Sequence, residues 1–248
     1  MLIVNADDWG RSQAETDAAL DCCQRGTVTS VSAMVFMADS ERAAKLATDA
    51  GIDVGLHLNL TEPFASDRGC AHLKQCQARI ARLLKAHRYA VLFYHPLLRS
   101  QFREVYRAQA AEFARCYGRD PSHVDGHQHM HLCANMLVDA IIPRGQWVRR
   151  SFSFQAGEKG LLNRTYRNMV NWCLGRRYRL TRYFLDLSQN LEMSRFTRVV
   201  ELAKRYHVEL MTHPYRANEY AALIGDAHSR LIRSAAIASY SDLHGEGR

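Results

Sequence analysis

Short apolar runs alternate with helical stretches along most of the chain, and this alternation limits the folds that it can adopt. A short apolar run bounded by turn residues is typical of a strand that is buried on both faces. Strands that alternate with helices predict a mostly parallel sheet with the helices outside it. The predicted strands are residues 2–6, 30–36, 53–58, 122–126, 147–151, 183–187 and 208–212.

The helical stretches have recognisable first and last residues. Ser12 and Asp39 are suited to capping the starts of helices, and Gly26, Gly51 and Gly118 to ending them. The predicted helices are residues 12–25, 39–50, 101–117 and 194–206.

The strand count and the chain length together predict one α/β domain. Seven strands in 248 residues are expected of a TIM-like (β/α) barrel that is distorted or lacks one strand. Residues 62–96 and 152–182 fit the alternation poorly, so we expect them to be long βα loops that cap the site. No repeat, low-complexity tract or linker divides the chain, and residues 1–248 are therefore predicted to form a single domain.

The composition narrows the class of protein further. The chain is 47% hydrophobic and 23% charged, as expected of a soluble globular protein with a sizeable core. Its seven cysteines are odd in number and include no CxxC pair, which is typical of reduced thiols in a cytoplasmic protein. We find neither a signal peptide nor a run of ~18 apolar residues that could span a bilayer. The net charge of +8 favours an anionic partner without specifying it.

The first predicted strand ends in the sequence NADDWG, residues 5–10. Two adjacent carboxylates at the carboxyl end of a buried strand repel each other unless a cation or a hydrogen-bond donor compensates. In barrel enzymes this end of the strands faces the active site. Asp7 and Asp8 are therefore candidate site residues, although a helix cap followed by a turn at Gly10 explains the same pattern.

The third predicted strand leads into GLHLNLTE, residues 55–62. His57 and Asn59 occupy alternate positions and so point to the same side of the strand, while Leu56, Leu58 and Leu60 point to the other. A histidine near a strand end can be a metal ligand, but alone it is as readily a hydrogen-bonded structural residue.

The sequence SHVDGHQHMHL, residues 122–132, is the strongest metal signal in the chain. Pro121 and Gly126 disfavour a helix here, and strand spacing places Asp125, His127, His129 and His131 on one face and removes His123 from it. This spacing does not choose among the three histidines, although closeness to the strand end favours His127. A cluster of surface histidines is the alternative interpretation.

Taken together, these pieces indicate a metal-assisted hydrolase. Two histidines and a carboxylate such as Asp8 form a three-ligand site with open positions, and Asp7 is then a carboxylate beside it. A metal in such a site lowers the pKa of a water molecule toward about 7, and a neighbouring carboxylate can take the proton. His213, in THP at residues 212–214, could protonate the leaving group or orient another residue. The ligand types favour Zn²⁺ and also accept Mg²⁺, Mn²⁺ or Co²⁺.

The order and spacing of NADDWG, GLHLNLTE, SHVDGHQHMH and THP resemble the YdjC-like carbohydrate deacetylases, which include chitooligosaccharide and hopanoid-biosynthesis deacetylases. The resemblance runs from the first strand almost to the end of the chain. It implies a TIM-like barrel, often dimeric, that uses a divalent metal to remove acetyl groups from N-acetylated sugars.

Position by position, the resemblance implies particular roles. Asp8, His57 and His127 would hold the metal, Asp7 would be the general base, and His213 would be the acid or an orienting residue. Asn59, Asp125, His129 and His131 would support the ligands or contact the substrate.

The sequence departs from the family pattern at two positions. Trp9 replaces the usual Phe, which we expect to alter the lining of the pocket. Pro63 follows Glu62 where the family commonly has Gly, which stiffens the next loop and bears on the choice of substrate.

Basic residues cluster in RGQWVRR, residues 144–150, and in RRYRLTR, residues 176–182. They form either a solvated face or a grip for a phosphate, an anionic or lipid-linked glycan, or an anionic membrane surface. Three functions are therefore considered: a carbohydrate N-deacetylase, a hydrolase of another amide or ester, and a non-catalytic glycan- or nucleic-acid-binding protein. Nucleic acid is not expected as a partner, because no nucleic-acid-binding motif is present.

Overall fold

The computed structural model describes residues 1–154 and 158–245, and six parallel strands form the sheet at its centre. The strands follow the order β4-β3-β2-β1-β6-β5, so the first strand of the chain lies in the middle of the sheet. Strands β1 to β4 and β6 are buried along their whole length, as expected for a parallel sheet covered on both faces. The strands are β1 (Leu2–Trp9), β2 (Ser30–Ala33), β3 (Asp53–Leu58), β4 (Val124–Gly126), β5 (Tyr183–Asp186) and β6 (Val208–Thr212).

The sheet curls but does not close into the complete barrel that the strand count allows. Strands β4 and β5 form its two edges, and the predicted strand 147–151 contributes only isolated bridges, Val124 to Val148 and Trp147 to Arg179. Strand β4 ends after three residues, which leaves little edge for another strand to pair with. The described part of the chain is therefore a curled half-barrel of parallel strands.

Helices cover the sheet and also occupy the two segments that sequence reasoning assigned to loops. The predicted long βα loops 62–96 and 152–182 contain the helical residues 71–85 and 161–175, which were not identified from the sequence. Residues 155–157 lie outside the described part. The helices are α1 (Gln13–Gln24), α2 (Ser40–Asp49), α3 (Ala71–Lys85), α4 (Arg99–Tyr117), α5 (Ala134–Val138), α6 (Leu161–Gly175), α7 (Met193–Ala203), α8 (Ala217–Ile224), α9 (Asp226–Ser234) and α10 (Tyr240–Gly245).

The last described segment closes the amino ends of the strands. The backbone of Leu2 donates a hydrogen bond to Ala236 and accepts one from Ala238. Tyr240, at the start of α10, is fully buried and stacks on His123 with ring centroids 3.9 Å apart. This closed end leaves the carboxyl ends of the strands as the open end of the half-barrel. Within the described residues, no helix combines the length and the apolar composition needed to cross a bilayer.

Gly55 tests this packing, because a side chain there would overlap the buried imidazole of His123. His123 cannot move aside easily, since it contacts Ser32 and Ser122 at 3.0 Å as well as Tyr240. We expect Gly55→Ala to lower the free energy of unfolding by about 2–3 kcal/mol in urea denaturation.

Gly175→Ala is the matched control, because its added methyl would meet only Leu180 at an ordinary 3.8 Å. Its free energy of unfolding should stay within about 0.5 kcal/mol of the unmodified protein. Equal losses for the two variants would contradict the packing described here.

Candidate metal centre

A cavity of about 410 Å³ opens at the carboxyl ends of the strands. It collects side chains from β1, β3, β5 and the residues that follow β4 and β6, as the arrangement of parallel strands requires. The residues that line it are Asp7, Asp8, Arg11, His57, Glu62, His127, Gln128, His129, Phe152, Asp186, Gln189, Met211, His213, Tyr215 and Arg216.

A bulge at the end of β1 brings two adjacent carboxylates into this cavity. Neighbouring side chains of a regular strand point to opposite faces. The register with β2 shifts between Ala6 and Trp9, and Asp8 has a left-handed backbone with φ of 66°. Asp7 and Asp8 therefore both reach the cavity, at the cost of a strained backbone of the kind often found at functional sites.

Asp8, His57 and His127 form a buried three-residue cluster at the floor of the cavity. Asp8 Oδ1 lies 3.4 Å from His57 Nε2 and 2.9 Å from His127 Nδ1. One ligand atom from each residue lies within 4.8 Å of the others. A carboxylate oxygen and two imidazole nitrogens with an open side fit a divalent transition metal such as Zn²⁺.

The second nitrogen of each imidazole is held by a carboxylate. His57 Nδ1 lies 2.8 Å from Asp125 Oδ1, and His127 Nε2 lies 3.0 Å from Glu62 Oε1. Arg11 donates two hydrogen bonds to Glu62 and so fixes that carboxylate. Histidine ligands of metals are commonly oriented in this way, with the free ring N–H donated to a carboxylate.

Charge within the cluster shifts the protonation of its members. Burial lowers the pKa of His57, but the charges of Asp125 and Asp7 outweigh burial and raise it to about 10. Burial raises the pKa of Asp8, but hydrogen bonds with His127 and His57 outweigh it and hold the pKa well below its usual range. A metal ion would therefore bind an ionised Asp8 and displace a proton from His57.

Asp7 lies beside the cluster but is engaged by Arg149. Two guanidinium nitrogens of Arg149 donate to its two oxygens, each at 2.7 Å, and Asn5 Nδ2 donates to Oδ1 at 2.9 Å. Burial raises the pKa of Asp7, but the Arg149 charge and that of His57 outweigh burial and lower it. The carboxylate is therefore ionised and held in one orientation.

Arg149 is the fully buried cation of a wider network. Besides Asp7 it contacts Asp125 Oδ2 at 2.6 Å and Glu209 Oε1 at 2.6 Å. Glu209 in turn accepts a hydrogen bond from Tyr240 Oη at 2.6 Å, and burial raises its pKa to about 7 despite Arg149. Arg149 thus links Asp7 and Asp125, which lie beside the metal cluster, to Glu209 and Tyr240 at the closed end of the half-barrel.

A second buried trio, Asp7, His57 and Asp125, also meets the spacing for a metal. Arg149 contacts both of its carboxylates at 2.6–2.7 Å, so a cation bound there would lie beside a buried guanidinium charge. In the other group, Asp8 faces the partly exposed Arg11 at the longer distance of 3.8 Å. Among the described contacts, Arg149 makes no hydrogen bond or ion pair to Asp8 or His127. We favour Asp8, His57 and His127 as the metal site for that reason.

The histidine-rich segment does not continue as a strand. Residues His127–Leu132 form 3₁₀ turns interrupted by a kink, with left-handed φ values of 53° at Gln128 and 59° at His129. Strand spacing after Gly126, which placed three histidines on one face, is therefore wrong. The turn is tight: a Cβ at residue 126 would lie only 2.8 Å from the backbone nitrogen of His131, so glycine is required there.

The turn sends the remaining histidines to different places. His129 lines the cavity and packs edge-on against Phe152, with ring centroids 4.6 Å apart. His131 Nε2 donates to the backbone carbonyl of Arg149 at 3.0 Å and so supports the segment that carries the arginine. His123 is buried in the core and is not among the residues that line the cavity.

Three other predicted site residues lie in distinct positions. His213 lines the cavity, and its backbone N–H donates to Glu219 at 2.7 Å. Asn59 is buried outside the cavity wall, where its side chain binds the backbone of Glu62 and shapes the turn that presents it. Trp9 is fully buried, with its indole donating to the Ala43 carbonyl, so the expected change in pocket lining is not seen.

Sequence reasoning missed Arg149, Glu62 and Glu209 as parts of the site. In the sequence, Arg149 was noted only as one of several clustered basic residues. Glu62 was noted only because Pro63 follows it where the family commonly has glycine. A charged residue inside an apolar run, as in VELMT at 208–212, is the signal that could have identified Glu209.

The half-barrel and its buried carboxylate–histidine cluster define an α/β protein with a candidate catalytic metal site. The YdjC-like protein family model matches residues 1–238, and the chain belongs to that family.

Named relatives are found among animal and bacterial proteins. The chain is 37% identical over 133 residues to a mouse carbohydrate deacetylase, covering 53% of this chain and 43% of that protein. It is 31% identical over 135 residues to a chitooligosaccharide deacetylase of Serratia marcescens, covering 53% and 51%. The chain thus spans about half the length of the curated relatives it matches.

Solved structures share the fold. A protein from Enterococcus faecalis named for cellobiose-phosphate cleavage superposes with a TM-score of 0.68 at 17% identity and covers 98% of both chains. The Xyl-CE4 domain of a multidomain xylanase from a termite hindgut metagenome superposes with a TM-score of 0.52 at 9% identity, covering 99% of this chain and 89% of that one.

The contact between Glu62 and His127 can be tested by metal binding. Glu62→Gln removes the charge that orients His127, so we expect Zn²⁺ affinity to fall about 10- to 100-fold in competition with a chromophoric chelator. Glu15→Gln is the matched control, because Glu15 also contacts Arg11, at 3.3 Å, whereas its other hydrogen bond is to Ser12 and not to His127. Equal loss of affinity in the two variants would contradict the assignment.

Proposed function

We propose that this protein is a metal-dependent carbohydrate deacetylase, which hydrolyses the acetamido group of an N-acetylated sugar. The observation that carries the proposal is the cluster of Asp8, His57 and His127, with the ionised Asp7 beside it. Family membership and the names of the mouse and Serratia marcescens relatives support the same activity.

The residues of the cluster fit Zn²⁺ best, with Mg²⁺, Mn²⁺ and Co²⁺ as further candidates. Asp8, His57 and His127 would hold the ion, which when bound would polarise the acetyl carbonyl and lower the pKa of a water molecule. Asp125 and Glu62 would keep the two imidazoles turned toward it.

Asp7 and His213 would divide the proton transfers. The oxygen of water forms a bond to the acetyl carbon, and its proton passes to Asp7, which is ionised and fixed by Arg149. The C–N bond then breaks, and the sugar nitrogen takes a proton from His213 on the wall of the same cavity. The products are acetate and the free amino sugar.

The walls of the cavity are suited to a polar, ring-shaped substrate. Gln128, Gln189 and Arg216 offer hydrogen bonds to hydroxyl groups, and Phe152 and Tyr215 offer flat apolar faces. A neutral sugar and an anionic or lipid-linked glycan are both compatible with this lining. Comparing the turnover of matched neutral and phosphate-bearing acetamido sugars would separate them.

Two other functions remain as alternatives that one assay can separate. A hydrolase of another amide or ester would share the metal centre, whereas a non-catalytic glycan-binding protein would not need a carboxylate held ready beside it. Acetate release from N-acetylglucosamine oligomers, with and without a chelator, is expected to occur and to stop when the metal is removed. Binding without acetate release would favour the non-catalytic alternative. A cytoplasmic location and a homodimer stay predictions.

Replacing Asp7 tests its role as the base. Asp7→Asn keeps the size of the side chain but removes the proton acceptor, so we expect kcat/KM for acetate release to fall at least ~100-fold while Zn²⁺ content stays unchanged. The free energy of unfolding should also fall, because Arg149 loses a charged partner.

Asp49→Asn, an exposed change on α2, is the control for this variant and should keep full activity. A fully active Asp7→Asn enzyme, or one that loses zinc in proportion to its activity, would show that the assignment of the base is wrong.

A further inference from the structure

Helix α6 carries large apolar side chains on the side that faces solvent as well as on the side that packs on the core. Val170 and Leu174 are buried against the core. At about 100° per residue, five other large apolar residues fall on an arc of about 140° on the outer side. This group, the α6 apolar face, consists of Leu161, Leu162, Tyr166, Met169 and Trp172.

The α6 apolar face is strongly exposed. Leu162 is 87% exposed and Trp172 is 62% exposed. An isolated exposed leucine is ordinary, but contiguous apolar side chains along one helix mark a surface that meets a partner.

Positive charge surrounds this face. Between residues 158 and 182 the only acidic residue is Glu158, which pairs with Arg195 at 3.6 Å. Arg176 lies over the ring of Trp172, 4.8 Å from its centroid. The basic residues of the same stretch are Lys159, Arg164, Arg167, Arg176, Arg177, Arg179 and Arg182.

An arginine-lined cleft of about 580 Å³ adjoins the face, and Trp172 belongs to both. Arg150, Arg182 and Arg205 line this cleft, and none of its described lining residues is acidic. Arg150 Nε is buried without a hydrogen-bond partner, and burial together with the charge of Arg182 lowers the pKa of Arg150. Arg150 Nη1 donates to the backbone carbonyls of Thr181 and Arg182, but among the described residues no carboxylate pairs with Arg150, Arg182 or Arg205. Guanidinium groups without a carboxylate partner suit a phosphate group.

The positive charge around the α6 apolar face distinguishes between two possible occupants, a second copy of the chain and an anionic membrane. In a symmetric contact with a second copy, the same basic surface would meet itself, and the arginines would repel each other. An anionic bilayer offers an apolar interior for the leucines and Trp172 and phosphate groups for the arginines. We propose that the α6 apolar face and the adjoining arginine cleft dock the protein on an anionic phospholipid membrane, with a lipid phosphate in the cleft.

The arginine cleft lies away from the candidate metal centre. Thr181, Arg182 and His207 of the cleft come just before β5 and β6, so the cleft lies at the amino ends of these strands. The metal cluster lies at the carboxyl ends. The proposal therefore stands independently of the reaction proposed above.

Tryptophan fluorescence tests the docking directly, because Trp9 and Trp147 are buried and Trp172 is the exposed indole. The full chain would be mixed with vesicles of phosphatidylcholine, or of phosphatidylcholine with roughly one-third phosphatidylglycerol, and separated by flotation. We expect binding to the anionic vesicles alone, a blue shift of Trp172 emission, and weaker binding as salt rises. Absence of binding, or binding without a blue shift, would overturn the proposal.

Two pairs of variants identify the surface. Leu161→Ser/Leu162→Ser should weaken vesicle partitioning about tenfold or more. Leu97→Ser/Val138→Ser, which removes exposed apolar side chains elsewhere, should leave vesicle partitioning unchanged.

The arginine cleft is tested separately. Arg182→Gln/Arg205→Gln should weaken vesicle partitioning about tenfold or more. Lys45→Gln/Arg230→Gln, which removes the same charge from other exposed positions, should have a clearly smaller effect.

Other outcomes contradict the proposal. Equal losses of vesicle binding in Arg182→Gln/Arg205→Gln and Lys45→Gln/Arg230→Gln would show that the overall positive charge drives binding. A wild-type dimer that becomes a monomer on Leu161→Ser/Leu162→Ser substitution, with vesicle binding unchanged, would assign the face to a contact between copies.

Discussion

The buried guanidinium of Arg149 is the interaction on which the candidate site depends. It contacts Asp7, Asp125 and Glu209 at 2.6–2.7 Å, and all four side chains are buried. Removing one partner from a buried charge network commonly costs about 3–5 kcal/mol, because the remaining charges lose their compensation. The network therefore stabilises an arrangement of carboxylates that would otherwise repel one another.

The same guanidinium separates the roles of two adjacent aspartates. The bulge at the end of β1 brings both into the cavity, but Arg149 engages Asp7 and leaves Asp8 facing His57 and His127. Asp125 joins the two systems, since one oxygen accepts from Arg149 and the other contacts His57. Arg149 therefore helps to orient His57 through Asp125 and also helps to keep Asp7, the proposed base, ionised.

Much of the fold was predictable because it follows from local patterns. Each of the six strands overlaps a predicted apolar run, and α1, α2, α4 and α7 lie where helices were predicted. Helix α3 was missed even though Leu73, Cys76, Ile80 and Leu84 are buried at helical spacing, because the segment lacks a clear N-cap. Helix α6 was missed for a different reason. Most of its large apolar side chains lie on the exposed side, and its buried residues include the polar Asn171, so the apolar pattern does not mark the buried face.

The site was predictable only where it follows the strands. Asp8, His57 and His127 could be found because each lies at or just past the carboxyl end of a strand. The positions of His129 and His131 depend on left-handed backbone at Gln128 and His129, a conformation uncommon for any residue except glycine and therefore not indicated by this sequence. The role of Arg149 depends on contacts that span 142 residues of sequence, and no local pattern reports such contacts.

Locating a bound metal tests the account most directly. Crystals of the zinc-loaded protein would be measured on both sides of the zinc absorption edge to obtain an anomalous difference map. The account predicts one buried peak bonded to Asp8, His57 and His127, with Asp7 still paired with Arg149. A peak bonded to Asp7 or Asp125, or a zinc ion bound only at surface residues, would contradict it.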